Sequence, residues 1–359
     1  MSTPTVRRVS EWVPLTKAEF RARFFARFYD PAFDAVTAEL ERVCETAWDG
    51  YSVYRKSPRT RPAGPGWTDP DMALPLEWLA TRDAILAAET RHRDPASPTR
   101  ILLVNGSTRS EHTCPGEISK TSRLVDRARA TLEALPHHEV DVLDVSALAD
   151  EPLKVIYPCK ACVSTAMPLC HWPCSCYPNH ALSQSDDWMN DIYPRWSAAH
   201  GVCIICPVHW YHAPASLKLM IDRLVCADGG NPDPTTTAGK DPLKAKTLEL
   251  QGWDYPKHLA GRAFAVVAHG DAAGPENLRR MLVDWLTDIG MVQAGPAAAL
   301  DTWIGWYEPY ATSHDDLDAD PAIFTQVEQA ALSLAALTGQ LRSGAYRAPN
   351  DGLHSPREK

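Results

Sequence analysis

The residues best suited to chemistry lie in Ile101-Leu102-Leu103-Val104-Asn105-Gly106-Ser107-Thr108-Arg109-Ser110, followed by Ser119-Lys120-Thr121-Ser122. A short apolar run that ends in glycine and hydroxyl residues, then opens a helix, is the layout of a phosphate-cradling strand–loop–helix. Backbone N–H groups and the helix N-terminus bind a dianion there without a metal. Lys120 and Arg109 offer a direct charge contact. The alternative is an ordinary strand–helix turn with a Ser or Thr cap.

Spacing excludes two familiar phosphate loops. A P-loop aligned on Lys120-Thr121 would need glycine where Cys114 and Ser119 stand. The dinucleotide pattern Gly-x-Gly-x-x-Gly fails because no glycine follows Gly106 until Gly116. What remains is a loop that works through Ser and Thr.

A second reactive group is the run Cys159, Cys162, Cys170, Cys174 and Cys176. Thiolates at this spacing suit zinc or an iron–sulfur cluster, and free buried thiols are the competing reading. We favour free thiols and assign no metal ligand. Cys114, Cys203, Cys206 and Cys226 read as packing. No Ser-His-Asp set or carboxylate pair has persuasive spacing, so no catalytic side chain is assigned. His209, His212 and His269 read as hydrogen-bonding walls rather than acids.

Net charge −9 over 359 residues lacks the basic footprint of a general nucleic-acid binder. Arg7, Arg8, Arg55, Lys56, Arg59 and Arg61 read as solvated loop charges. With 45% hydrophobic and 23% charged residues the composition is that of a globular protein. No stretch has the length of a membrane span and no export signal opens the chain, so the expectation is a cytoplasmic protein with reduced cysteines.

Residues 1–98 read as a helical extension with too few apolar residues for a core of its own. Helices are expected near 17–29, 33–47 and 77–89. Phe20, Phe24 and Phe28 share a face that must dock on the chain's own core or on a second subunit. Across 99–345 strands alternate with helices, and 346–359 reads as a flexible tail. Strands are expected at 100–105, 138–145, 202–207, 262–269 and 291–298, and helices near 119–134, 187–199, 214–226, 275–289 and 321–342. This rhythm gives an α/β doubly wound parallel sheet with ligand at the strands' C-terminal ends. Long insertions interrupt it at 152–186 and 228–260.

In this order the chain resembles the flavodoxin-like NAD(P)H-dependent FMN reductases, whose five-stranded sheet has order 2-1-3-4-5. Gly106-Ser107-Thr108-Arg109-Ser110 resembles that family's Gly-Ser-x-Arg, and Thr121-Ser122-Arg123-Leu124 its Thr-x-x-Leu. Asp186-Asp187-Trp188-Met189 is similar to the Asp-Asp-Met that opens its second helix. Pro207-Val208-His209-Trp210-Tyr211, with Leu217-Lys218 and Asp222-Arg223, is similar to Pro-Val-Tyr-Trp followed by Leu-Lys and Asp-Arg. The phosphate loop is about ten residues longer than the simplest family version, and residues 1–98 have no counterpart.

The resemblance implies FMN, with NADPH or NADH as hydride donor and a quinone, flavin or similar acceptor. Its phosphate would meet Ser107, Arg109, Ser119, Lys120, Thr121 and Ser122. Its ring would lie along Pro207, Val208, His209, Trp210 and Tyr211, with Trp210 or Tyr211 stacked on one face. His269, Gly270, Asp271 and Gly274 would form a third wall, the glycines admitting close backbone approach. Trp303, Trp306, Tyr307, Tyr310 and His314 read as a lid or a dimer contact. A homodimer or homotetramer is expected. The rivals are an electron carrier like the iron–sulfur flavoproteins and a non-catalytic assembly protein. In the iron–sulfur flavoproteins the third cysteine follows the second by three positions, where this chain has Thr165.

Overall fold

The computed structural model describes residues 4–53, 59–152, 154–177 and 186–349. In chain order its elements are α1 (Lys17–Phe25), α2 (Thr37–Ser52), β1 (Thr60–Pro62), β2 (Ala73–Pro75), α3 (Leu76–Arg93), β3 (Thr99–Asn105), α4 (Lys120–Glu133) and β4 (His138–Asp144). Then come α5 (Ala147–Asp150), α6 (Met189–Ala198), β5 (Gly201–Pro207), α7 (Ala215–Arg223), α8 (Pro242–Leu250), β6 (Ala263–Gly270) and α9 (Pro275–Asp288). Strands β7 (Val292–Gln293) and β8 (Ala299–Trp303) and helices α10 (Ser313–Ala319) and α11 (Pro321–Ser343) complete it. Contacts divide the chain into two compact units: Met1–Ala84 with Pro152–Tyr193 and Asp222–Pro256, and Ile85–Glu151 with Pro194–Ile221 and Lys257–Lys359.

The second unit holds the sheet. Its strands run β4-β3-β5-β6-β7, with β8 also on β6, and all pairs are parallel. Counted along the sheet this is the flavodoxin-like order 2-1-3-4-5. Strand β6 is buried along its whole length and β5 up to Pro207, as central parallel strands covered on both faces must be. One face carries Ile101, Leu103, Cys203, Ile205, Ala265 and Val267 against Leu124, Ala128 and Leu132 of α4 and Val327, Ala331 and Leu334 of α11. Helix α4 starts where Ser119 Oγ accepts a hydrogen bond from the Ser122 N–H, and its apolar residues follow at helical spacing.

The fifth strand, expected as one run over 291–298, is broken. Val292–Gln293 pairs with the start of β6, Gly295-Pro296 interrupts, and Ala299–Trp303 resumes against its C-terminal half. Proline has no N–H for the ladder, and Gly295 sits at φ 93°, which ends the run. Helices α5, α8 and α10 have no counterpart among the expected helices.

In the first unit the N-terminal residues make small cores. Phe20 and Phe24 of α1 are buried with Cys44 and Ala47 of α2, while Ala63, Leu74, Trp78 and Leu79 form another cluster. This corrects the expectation that the extension has too few apolar residues for any core of its own. Helix α1 ends at Phe25, so Phe28 lies beyond it and packs on Phe24 and Phe33. Arg55, Lys56 and most of the expected tail lie outside the described residues.

Candidate functional site

Parallel registry brings four strand ends to one edge of the sheet. Gly106 N–H donates to the Ile205 carbonyl at 2.8 Å, Val208 N–H to His269 at 2.7 Å, and Ile304 N–H to Gly270 at 2.8 Å. Above this edge opens a cleft of about 450 Å³. That volume is in the usual range for a ligand of cofactor size. Of the expected residues, Ser107, Arg109, Ser119, Lys120, Thr121, Pro207, Val208, His209, His269, Gly270 and Asp271 line it.

Asn105 sets the loop at the cleft's polar end. Its Oδ1 accepts from the Ser107 N–H at 3.1 Å, and its Nδ2 donates to Ser122 Oγ at 3.1 Å and to Asp144 Oδ2 at 3.2 Å. Ser122 is spent on that bond and on Ser119 Oγ, and it does not line the cleft. Arg109 donates from Nε to the Glu117 carbonyl at 3.0 Å and pairs with the Glu117 carboxylate. The long loop thus neutralises its own arginine, and Lys120 is the cation beside the hydroxyls. Burial lowers the Lys120 pKa, opposed by the charges of Asp271 and Asp316.

His269 is buried at the end of β6. Its Nε2 is 2.9 Å from Thr121 Oγ1, and its Nδ1 has no partner among the described residues. Burial, with the nearby charges of Lys120 and His209, brings its pKa down to about 3, so the ring is neutral. His209 is also pushed down by burial.

Trp210 and Tyr211 stand apart from the cleft lining. They form the two central residues of a tight turn closed by mutual His209 and His212 backbone bonds, at φ 48° and 68°. Both left-handed conformations match a type I′ turn, where glycine or asparagine is usual. Trp210 is 93% exposed and Tyr211 56%. Gly274 lies under this turn: a Cβ there would come within 2.9 Å of Val208 Cγ2 and 3.1 Å of Tyr211 Cα. Its role is to let the turn close, and it does not line the cleft.

From the aromatic run, Tyr310 and His314 line the cleft, with Ser313 between them. His314 Nε2 bonds to the Ile118 carbonyl at 3.0 Å, holding the start of α10 to the end of the loop. Thr108 of the loop motif also lines it, as do Ile118 and Ser313, which no motif marks; Ile118 sits in the inserted part of the loop. Asp187 and Arg223, expected from two family-like motifs, form a buried ion pair in the other unit.

The cleft suits FMN on its own chemistry. Ser107, Ser119, Thr121 and Lys120 supply one polar, cationic end, Ile118, Pro207 and Val208 supply apolar walls, and the Gly270 backbone borders them. At Gly270 a Cβ would approach Val208 Cγ1 to 2.5 Å, so the wall there is backbone by necessity. Among the described residues no group of three or more His, Cys, Asp or Glu is arranged to hold a metal ion. No helix of the described residues is long and apolar enough to cross a membrane.

Among curated proteins none matches this chain. Similar solved structures include RosB with a bound intermediate, at 14% identity over 69% of this chain and 82% of that one, with TM-score 0.46. An oxidoreductase from Corynebacterium diphtheriae is 12% identical over 68% of this chain and 99% of that one, with TM-score 0.39. An azoreductase from Bacillus anthracis is 14% identical over 66% and 100%, with TM-score 0.35. The assignment rests instead on the model of the NADPH-dependent FMN reductases, which matches residues 99–304, more than half of the chain. The chain belongs to the NADPH-dependent FMN reductase family and is an FMN-dependent NAD(P)H oxidoreductase.

Proposed function

We propose that the cleft at the ends of β3, β5 and β6 holds FMN with its phosphate toward Ser107, Ser119, Lys120 and Thr121. Pro207, Val208 and His209 on one side, and His269, Gly270 and Asp271 on the other, would border the ring. The observation that carries this reading is the convergence of a hydroxyl-and-lysine end with apolar walls in one cleft. FMN supplies the redox centre that takes hydride from reduced nicotinamide and passes electrons to an acceptor. The chain's own residues position both partners and exclude water.

The acceptor we propose is a quinone, a free flavin or a similar small molecule, with NADPH or NADH as donor. Tyr310 and His314, which line the cleft, support approach of the donor from that side. A cytoplasmic homodimer or homotetramer is the working assembly. Tyr29 at 89% and Phe33 at 39% exposure support a contact there, although Phe20 and Phe24 are satisfied within the α1–α2 pair. Heat-released ligand should be FMN by chromatography, and anaerobic NADPH or NADH should bleach the flavin band. Release of FAD, or an unchanged flavin spectrum, counts against the reading. Light scattering that finds a monomer at micromolar concentration removes the assembly.

A further inference from the structure

None of the cysteines from Cys159 to Cys176 lines the cleft. The ten cysteines are all free, and Cys159, Cys162, Cys174 and Cys176 are neither fully buried nor fully exposed. Two of them are already in contact: Cys162 Sγ is 3.3 Å from Cys176 Sγ. A bonded pair lies at about 2.05 Å, so a small closing motion separates contact from disulfide.

The two sulfurs are not equivalent. Lys240 Nζ stands 3.8 Å from Cys162 Sγ and is anchored by donating to the Leu169 carbonyl. Burial disfavours the Lys240 charge, yet the surrounding thiols outweigh it and its pKa is raised, so it stays a cation. Around Cys162 the charged and titratable groups are Lys240, Cys159, Cys174 and Cys176. A hydrogen bond from the Cys176 thiol lowers the Cys162 pKa, burial opposes it, and Lys240 lowers it further, to about 6. Cys176 is raised, chiefly by that same bond, and Cys159 by burial. Lys160 touches the Cys176 side, donating to its carbonyl at 3.3 Å. One sulfur is therefore a thiolate near neutral pH while its neighbour is a protonated thiol. That asymmetry separates an attacking from a resolving cysteine.

We propose that Cys162 and Cys176 form a reversible thiol–disulfide switch that exchanges with low-molecular-weight disulfides, Cys162 attacking and Cys176 resolving. In the first step Cys162 Sγ⁻ bonds to one sulfur of the disulfide RSSR, and RS⁻ leaves and takes a proton from water. In the second, Cys176 gives its proton to water and its sulfur bonds to Cys162 Sγ, expelling the second RS⁻. The two cysteines lose two electrons, and RSSR gains them as two RSH.

The test uses the full-length, FMN-loaded protein in buffers of graded glutathione to glutathione disulfide ratio, acid-quenched and mapped without reduction. A Cys162–Cys176 linked peptide should grow with the disulfide share and vanish with dithiothreitol. Cys176→Ser should trap glutathione on Cys162, and Cys162→Ser should leave Cys176 unmodified. Lys240→Met should slow alkylation of Cys162 several-fold near neutral pH, with the flavin spectrum as the check on folding. The proposal is overturned if no linked peptide forms at any ratio, or if the link or the glutathione falls on other cysteines. It is equally overturned if a stoichiometric metal leaves when these two thiols are alkylated.

Discussion

Thr121 Oγ1 and His269 Nε2 meet at 2.9 Å, joining the first turn of α4 to the last residues of β6 beneath the cleft. Both residues are buried, so this one bond ties the polar end of the site to its third wall. Thr121→Val keeps the shape and removes the hydroxyl, leaving the imidazole short of its remaining partner. A buried polar group left unsatisfied costs about 1–3 kcal/mol. Urea unfolding of the flavin-free protein should show that loss, and FMN should bind more weakly. Thr121→Ser should restore most of both. Equal stability of Thr121→Val and the parent would mean that water replaces the hydroxyl.

Lys120 provides a sharper test of ligand orientation. If it meets the phosphate, Lys120→Met should weaken FMN by about 1.5–3 kcal/mol, the contribution of a charge-assisted bond. That corresponds to roughly ten- to more than a hundredfold in Kd. Riboflavin, which lacks the phosphate, should bind parent and variant alike. A parallel loss for both ligands in fluorescence titrations would move Lys120 away from the phosphate end.

The sheet and the start of α4 were legible because each follows from a local pattern. Apolar runs alternating with helical patterns gave the strands, and the helical pattern that follows the hydroxyl-rich loop gave α4. Three features were not legible, each for a reason that lies outside the local pattern. The break in the fifth strand depends on where Pro296 falls against the β6 ladder, a register no single strand reveals. Arg109 looked available for a phosphate, and only the folded loop shows Glu117 holding it. Trp210 and Tyr211 read as ring-stacking residues, yet they occupy a tight turn with φ above zero and are not among the residues that line the cleft. Aromatic residues give no hint of such a turn, since its usual signature is Asn-Gly.

Three histidines make stability fall on acidification. Burial lowers His92 to about 3, helped by Arg262 and His200, and His200 to about 4. His269 is lowered to about 3 by burial. An unfolded histidine titrates near ~6.5, so below that pH the unfolded chain binds protons that the folded one refuses. The stabilising contribution is complete above about pH 6.5 and is lost progressively as pH falls toward 3 to 4. The geometry agrees. His200 Nδ1 accepts the Arg100 N–H at 2.9 Å, and Nε2 bonds to the His92 carbonyl at 2.9 Å, so a second ring proton would face a donor. Urea midpoints measured from pH 7.5 downward should decline, and His200→Gln should flatten the decline. A flat profile in the parent protein rules the mechanism out.

Asp187 and Arg223 are paired while only 5% and 1% exposed, the most deeply buried ion pair described in this chain. Arg223 also donates to the Tyr157 carbonyl at 2.9 Å, and Tyr193 Oη donates to the Arg223 carbonyl at 3.1 Å. Both residues come from motifs that resemble the family's, and the structure gives them a structural partner rather than a place in the cleft. Breaking such a pair leaves one charge stranded, at a cost of about 3–5 kcal/mol, whereas removing both members is far less costly. Asp187→Asn and Arg223→Met should therefore each destabilise strongly. The double variant should be more stable than the sum of the two losses allows, by roughly 0.5–3 kcal/mol of coupling. Arg223→Met should fare worse than Asp187→Asn, because the Tyr157 carbonyl loses its donor as well. Additive losses in a double-mutant cycle would show that the two side chains act separately, with Arg223 needed for the loop carbonyl and not for the carboxylate.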